Sequence, residues 1–371
     1  MLRTNTPPAA LLIAALCFNG CSPVKEQAPK QFDDLDRYLT SELSQAEPGG
    51  AVLIMKADSI IYSKGFGVAD VVTKEPVTPK TLFNLGSISK TFVANAILKL
   101  QEEGRLSVED SLIKYFPGFA NRALVQGIQL KHLLTHTSGL PDNRNVRADT
   151  VFYLTAKDEE NWAPVMNAES LNFQPGTNYE YSNPAFNALA LIVERVSGMK
   201  WQSYIEKNIF RPAGMSTSTI TDGPHPESGV AHAYVRIGEE WKEDDYGEEP
   251  TFAASGNGGV WSSVEELAMY EIALQKAVFL KAETVADSRT VKQFDNWSAT
   301  KPPFIGWSWF IRERDGLRVV GHTGDQGGFL CNYVTVPEKD VFFVILCNTR
   351  RNVDGITDVL FKKLSEANWL E

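Results

Sequence analysis

The sequence predicts an α+β protein: an antiparallel sheet built from both chain ends, flanked by helices, with a mostly helical region inserted between. Three observations carry this reading. Near the N-terminus, residues 51–57 and 59–68 form two adjacent strand-like runs that read as a hairpin. Beyond residue 300, four more strand-like runs follow closely, at 304–312, 317–322, 329–336 and 341–347. Between about 81 and 299 the apolar residues recur mainly at helical spacing, without internal repeats or low-complexity tracts.

Residues 32–46 read as an amphipathic helix with Phe32, Leu35, Tyr38, Leu39 and Leu43 on one side. Gly65-Phe66-Gly67 resembles a fragment of a nucleotide motif but lacks its third glycine and following helix, so it reads as strand-end geometry. A glycine-containing loop then enters a helix at Ser87, with Ile88, Phe92, Val93, Ala96, Ile97 and Leu100 on one face and Gly104 at the stop. Residues 106–116 run to Pro117-Gly118, and 128–136 form a short helix. Residues 149–171 are irregularly helical. Asn183 is expected to cap the helix that Pro184 begins and Gly198 ends. A further helix covers 201–210. The acidic stretch 239–249 reads as a solvated loop. Ser262-Ser263 caps a helix over 264–275. The run 341–347 is continuously apolar, so both its faces should be covered; a closing helix carrying Val353, Ile356, Leu360, Leu364 and Ala367 can cover one.

The chain has 371 residues and a net charge of −10, with no strong basic run, which argues against nucleic-acid binding. Residues 1–20 read as a targeting segment: a basic start at Arg3, then an apolar run at 9–18 too short to span a bilayer. Phe18-Asn19-Gly20-Cys21 looks like a lipoprotein signal, with Cys21 as the lipidated residue and 21–31 as a tether; an ordinary secretory signal is the alternative. The expected location is the bacterial cell envelope, anchored to a membrane through Cys21. Cys331 and Cys347 lie on the last two strand-like runs. If Val336 faces Val341, then Cys331 faces Leu346 and Cys347 faces Leu330. The two sulfurs then point to opposite faces and form no disulfide.

Ser87-Ile88-Ser89-Lys90 suits nucleophilic catalysis. Lys90 lies one helical turn from Ser87, on the same side. A serine hydroxyl needs a base, and a desolvated lysine can become one. The helix start adds N–H groups where an oxyanion would form. Tyr181 and Asn183, in Tyr181-Ser182-Asn183, could shuttle a proton and bind lysine or substrate. His322-Thr323-Gly324 ends a strand whose edge can pair with substrate backbone, the glycine allowing close approach, and Thr323 and Asp325 share a face. His132 and His136 have the spacing of zinc ligands on a helix. Leu133 stands where the metalloprotease pattern needs glutamate, so both read as packed or hydrogen-bonded.

Taken together, S-x-x-K, Y-x-N and H-T-G in this order resemble the penicillin-recognising serine hydrolases, on the branch of class C β-lactamases, D-alanyl-D-alanine carboxypeptidases and related esterases. The likeness extends over 32–371 and includes Leu133 to Pro141, Pro175-Gly176, Gly258 to Ser263 and Gly321 to Gly324. It implies a β-lactamase/transpeptidase-like fold, with its sheet part at about 32–80 and 300–371. It also implies acylation of Ser87, with Lys90 and Tyr181 sharing acid and base work and Asn183 orienting Lys90 and substrate. His322, Thr323 and Gly324 would line the opposite wall. The oxyanion hole would be the N–H groups of Ser87 and Asp325. No metal or cofactor is expected. The partner is a small-molecule or peptide substrate: a D-alanyl peptide, a β-lactam or a small ester. His322 replaces a lysine usual in class C enzymes, and Asp325 adds a carboxylate; both weaken recognition of an anionic substrate end. The competing reading is a non-catalytic binder of peptidoglycan stems or a protein partner on the same fold.

Overall fold

In the computed structural model, the described residues are 32–43, 46–144, 155–222, 225–244, 253–301 and 304–371. The targeting segment, the tether, Cys21 and parts of the 149–171 and 239–249 stretches lie outside them.

The first helix, α1 (Asp33–Leu43), buries Leu35, Leu39 and Leu43. The hairpin β1 (Gly50–Lys56) and β2 (Ser59–Phe66) follows. Short strands β3 (Phe83–Asn84), β4 (Thr219–Ile220), β5 (Tyr234–Ile237), β6 (Glu240–Glu243) and β7 (Val260–Ser262) lie in the middle of the chain. The last four are β8 (Phe310–Arg314), β9 (Leu317–Gln326), β10 (Phe329–Val336) and β11 (Val341–Cys347). The main sheet runs β2-β1-β11-β10-β9-β8, all antiparallel, so the first hairpin joins the last strands through β1 and β11.

This sheet separates two cores. One face carries Val52, Ile54, Val336, Phe343 and Ile345 against α1 and the closing helix Val353–Glu366. The other carries Leu53, Met55, Tyr333, Phe342 and Val344 against the helical region, led by α2 (Ser89–Glu102). β11 is buried at all positions, as its apolar run requires. The register is the expected one: Val336 faces Val341, Cys331 faces Leu346 and Leu330 faces Cys347. Both thiols are free and buried, Cys331 in one core and Cys347 in the other.

Several elements differ from expectation. Ser182, not Asn183, caps the helix Asn183–Ser197: its hydroxyl accepts from Ala185 N at 3.2 Å. β8 starts at Phe310 rather than 304, because Gly306 packs against the Ser288 carbonyl and Ser308 turns at φ +70°. Part of the acidic stretch forms β6 and pairs with β5. A small sheet, β3-β7-β4, lies inside the region read as mostly helical.

Candidate active site

Ser87 lies in the one-turn helix Gly86–Ile88 that leads into α2. The turn is held on three sides. Asn84 Oδ1 accepts from Gly86 N at 3.0 Å, while Leu85 N donates to Val260 O at 2.8 Å and Ser89 Oγ accepts from Val260 N at 3.1 Å. Gly86 adopts φ +50° with Asp325 N so close that a Cβ would lie 2.9 Å from it. The Asp325 amide nitrogen therefore sits beside the residue preceding Ser87. Gly324 does not open the wall to substrate, as the sequence suggested. It is buried against the Leu85 carbonyl, where a Cβ would come within 2.0 Å. Its missing side chain lets β9 press onto the serine turn.

Lys90 is wholly buried, and its amine donates to Ser87 Oγ at 2.9 Å and to the Asn257 carbonyl at 2.7 Å. Among the described residues no carboxylate lies within ion-pair distance of it. Burial, reinforced by the positive charge of Arg144, holds its pKa well below the usual 10.5. The Tyr181 ring lies over the amine at 5.0 Å and is flanked by His136 at 4.4 Å and Phe310 at 6.4 Å between ring centroids. Asn183 was expected to orient Lys90; that role falls to Asn257, and Asn183 lines the pocket above Ser87.

A buried polar chain supports Asn257. Arg144 forks onto Asp142 at 2.6 and 2.7 Å and donates to Asn161 Oδ1 at 3.1 Å. With the Asn187 amide turned to satisfy its neighbours, its oxygen accepts from Arg144 at 3.0 Å and its nitrogen donates to Ser255 O at 2.8 Å and Asn257 Oδ1 at 3.1 Å. No motif in the sequence announced Arg144, Asn187 or Asn257; Arg144 and Asn257 reach the site from loops, and Asn187 from the second turn of the helix Asn183–Ser197, otherwise assigned to packing.

The two histidines of the short-helix pair serve separate backbone amides. His132 Nδ1 accepts from Gln129 N at 3.1 Å and His136 Nδ1 from Ser182 N at 3.0 Å. The second bond fixes the loop that carries Tyr181. His322 is buried on the β9 face toward the helical region, with Nδ1 bonded to the Thr323 carbonyl at 2.6 Å. Burial and the nearby Lys90 push it down to about 3, so it is neutral near neutral pH. Thr323 points to the other sheet face, into a cavity bordered by Thr357 and Phe361. β8 pairs with β9 only as far as Gly321, leaving the 322–326 edge facing the serine.

The pocket over Ser87 has a volume of about 240 Å³ and is lined by Asn183, Asp244, Asn257, Asp325, Gln326, Gly327 and Arg350. Asp325 is not a bare carboxylate: Arg350 pairs with both its oxygens at 2.9 and 3.0 Å. The expected repulsion of an anionic substrate end is therefore offset.

Fold and site together define a serine hydrolase. The chain belongs to the Beta-lactamase family, whose profile matches residues 30–364. It is 30% identical to a penicillin-binding protein of Bacillus subtilis (strain 168) over 82% of this chain and 69% of that one. An octameric penicillin-binding protein homologue from Pyrococcus abyssi superposes with a TM-score of 0.73 at 28% identity, covering 86% of this chain and 73% of that one. A penicillin-binding protein from Bacillus halodurans gives a TM-score of 0.75 at 24% identity over 88% and 98% of the two chains, a likeness of fold.

Proposed function

We propose that this serine hydrolase acts through an acyl-enzyme on Ser87 and that its substrate is a peptide ending in a D-alanyl unit. The observation that carries the reading is the Lys90 amine, desolvated and 2.9 Å from Ser87 Oγ. A binding protein gains nothing from holding a lysine in that state. In the neutral form the amine takes the Ser87 proton as Oγ bonds to the substrate carbonyl carbon. The resulting oxyanion is received by the N–H groups of Ser87 and Asp325. The proton passes, with Tyr181 at the amine, to the departing nitrogen, and the C–N bond breaks. Water then cleaves the ester by the same groups in reverse.

The peptide choice rests on the pocket. Its lining offers amide, carboxylate and guanidinium groups, suited to a polar backbone rather than an alkyl ester, and the unpaired β9 edge suits an extended chain. Kinship with penicillin-binding proteins supports the same choice. The cell-envelope location and the lipid at Cys21 belong to this proposal, and the intact mass of detergent-extracted protein tests the latter. For the reaction, the form starting after Cys21 is mixed with a penicillin and weighed intact. A stable adduct, absent in Ser87→Ala, is expected, with release of D-alanine from a D-alanyl peptide. Rapid drug turnover without a lasting adduct makes it a β-lactamase. Peptide release undiminished in clean, folded Ser87→Ala protein overturns the mechanism.

A further inference from the structure

We propose that His225, His232 and Glu243 form a zinc site at the rim of the substrate pocket, separate from the serine chemistry. These residues come from three places: the loop before β5, the segment entering β5, and the end of β6. One ligand atom of each lies within 4.8 Å of the others, and His232 Nδ1 touches Glu243 Oε1 at 2.5 Å. Two of the chain's five histidines thus meet at one carboxylate.

The donor set selects the ion. Two imidazoles and one carboxylate suit zinc, with a fourth position left for water, whereas calcium and magnesium prefer oxygen alone. Bonds of about 2.0–2.2 Å in tetrahedral geometry need ligand atoms roughly 3.3–3.5 Å apart. The present ligand atoms lie within 4.8 Å of one another, so binding an ion would require side-chain rotation to that spacing. The surroundings fit a built site. The His225 ring rests edge-on against Trp261 at 5.2 Å and beside His232 at 4.6 Å.

The site also has something to organise. β5 and β6 form a two-stranded sheet, an arrangement marginal without support. The residue after Glu243 is Asp244, which lines the pocket over Ser87; its N–H donates to Ala233 O, and its carbonyl accepts from Gly328 N. An ion clamping the loop at His225 to the end of β6 would therefore fix one pocket wall. It would contribute binding order, not a reacting group.

The test uses the soluble chain stripped with chelator, titrated with zinc chloride in a calorimeter. One ion per chain is expected, bound more tightly than micromolar. His232→Gln and Glu243→Gln should each weaken uptake at least about tenfold. Cobalt in place of zinc should give visible bands of tetrahedral strength that these variants lose. His225→Gln, on a loop outside the sheets, keeps the test decisive if a strand variant does not fold. No saturable uptake by the parent chain, or uptake undiminished in folded variants, overturns the site. Neither result depends on the penicillin or peptide assays.

Discussion

Replacing Lys90 with methionine should separate stability from turnover. The side chain is wholly buried, and methionine keeps its apolar stem while deleting the amine. Two terms then compete. Each pH unit by which the folded amine lies below 10.5 costs the fold about 1.4 kcal/mol, and the depression is large. Against this, the Asn257 carbonyl loses a partner, at about 1–3 kcal/mol. With the first term expected to outweigh the second, Lys90→Met should be more stable than the parent, by about 1–2 °C in Tm for each kcal/mol gained. Turnover should fall by roughly 10²–10⁴, the usual share of a general base. The pH dependence has a definite sign. Between the folded pKa and 10.5 the unfolded chain holds a proton that the native chain lacks, so the stability of the parent rises with pH through that window and is lowest beneath it. Lys90→Met should lose that part of the slope. Urea unfolding at several pH values, with D-alanine release measured in parallel, reads both. A variant no more stable than the parent, or one retaining full turnover, refutes the strained-base argument.

Gly324→Ala should destabilise by more than about 2 kcal/mol in urea and lower turnover, since its Cβ would press on the Leu85 carbonyl beneath Ser87; a silent change would show that β9 does not brace the serine turn. His322 and His132 are held at about 3 and about 4, below the ordinary 6.5, so the unfolded chain takes protons first as pH falls. Stability should decline from about pH 6.5 downward, by about 1.4 kcal/mol per unit for each histidine. His322→Asn should remove one share of that decline, and an unchanged acid limb in thermal melts counts against it. Arg350→Gln leaves Asp325 without its guanidinium partner, so KM for a peptide ending in a carboxylate should rise severalfold with kcat little altered; an unchanged KM would show that the substrate terminus lies elsewhere.

Much of the architecture was legible because it follows from long apolar runs. β10 and β11 begin and end where the sequence indicated, since the Pro337 turn separates two uninterrupted stretches. The helix Val264–Gln275 was marked by Ser263, whose hydroxyl caps it. Strands of two or three residues, such as β3 and β4, carry no periodicity to read. β6 was hidden by its own charges, because an exposed hairpin needs no apolar face. In the site, Ser87 and Lys90 were visible as a motif that the fold brings into contact. Asn257, Arg350 and Asp244 were not: they sit on loops, where the side chain's job is set by what lies opposite, not by neighbours in sequence.

The bond from Gly49 N to Asn348 Oδ1 spans 299 positions, and the whole length of β1 pairs with β11. The hairpin made first thus keeps an open edge until nearly the last residue is available. Loop closure over such a span favours late assembly. A chain cut short before residue 341 would lack the strand that joins its two halves, leaving β1 and β10 each with an exposed, apolar margin. Such a fragment would be prone to stick to others of its kind rather than to act as a smaller enzyme.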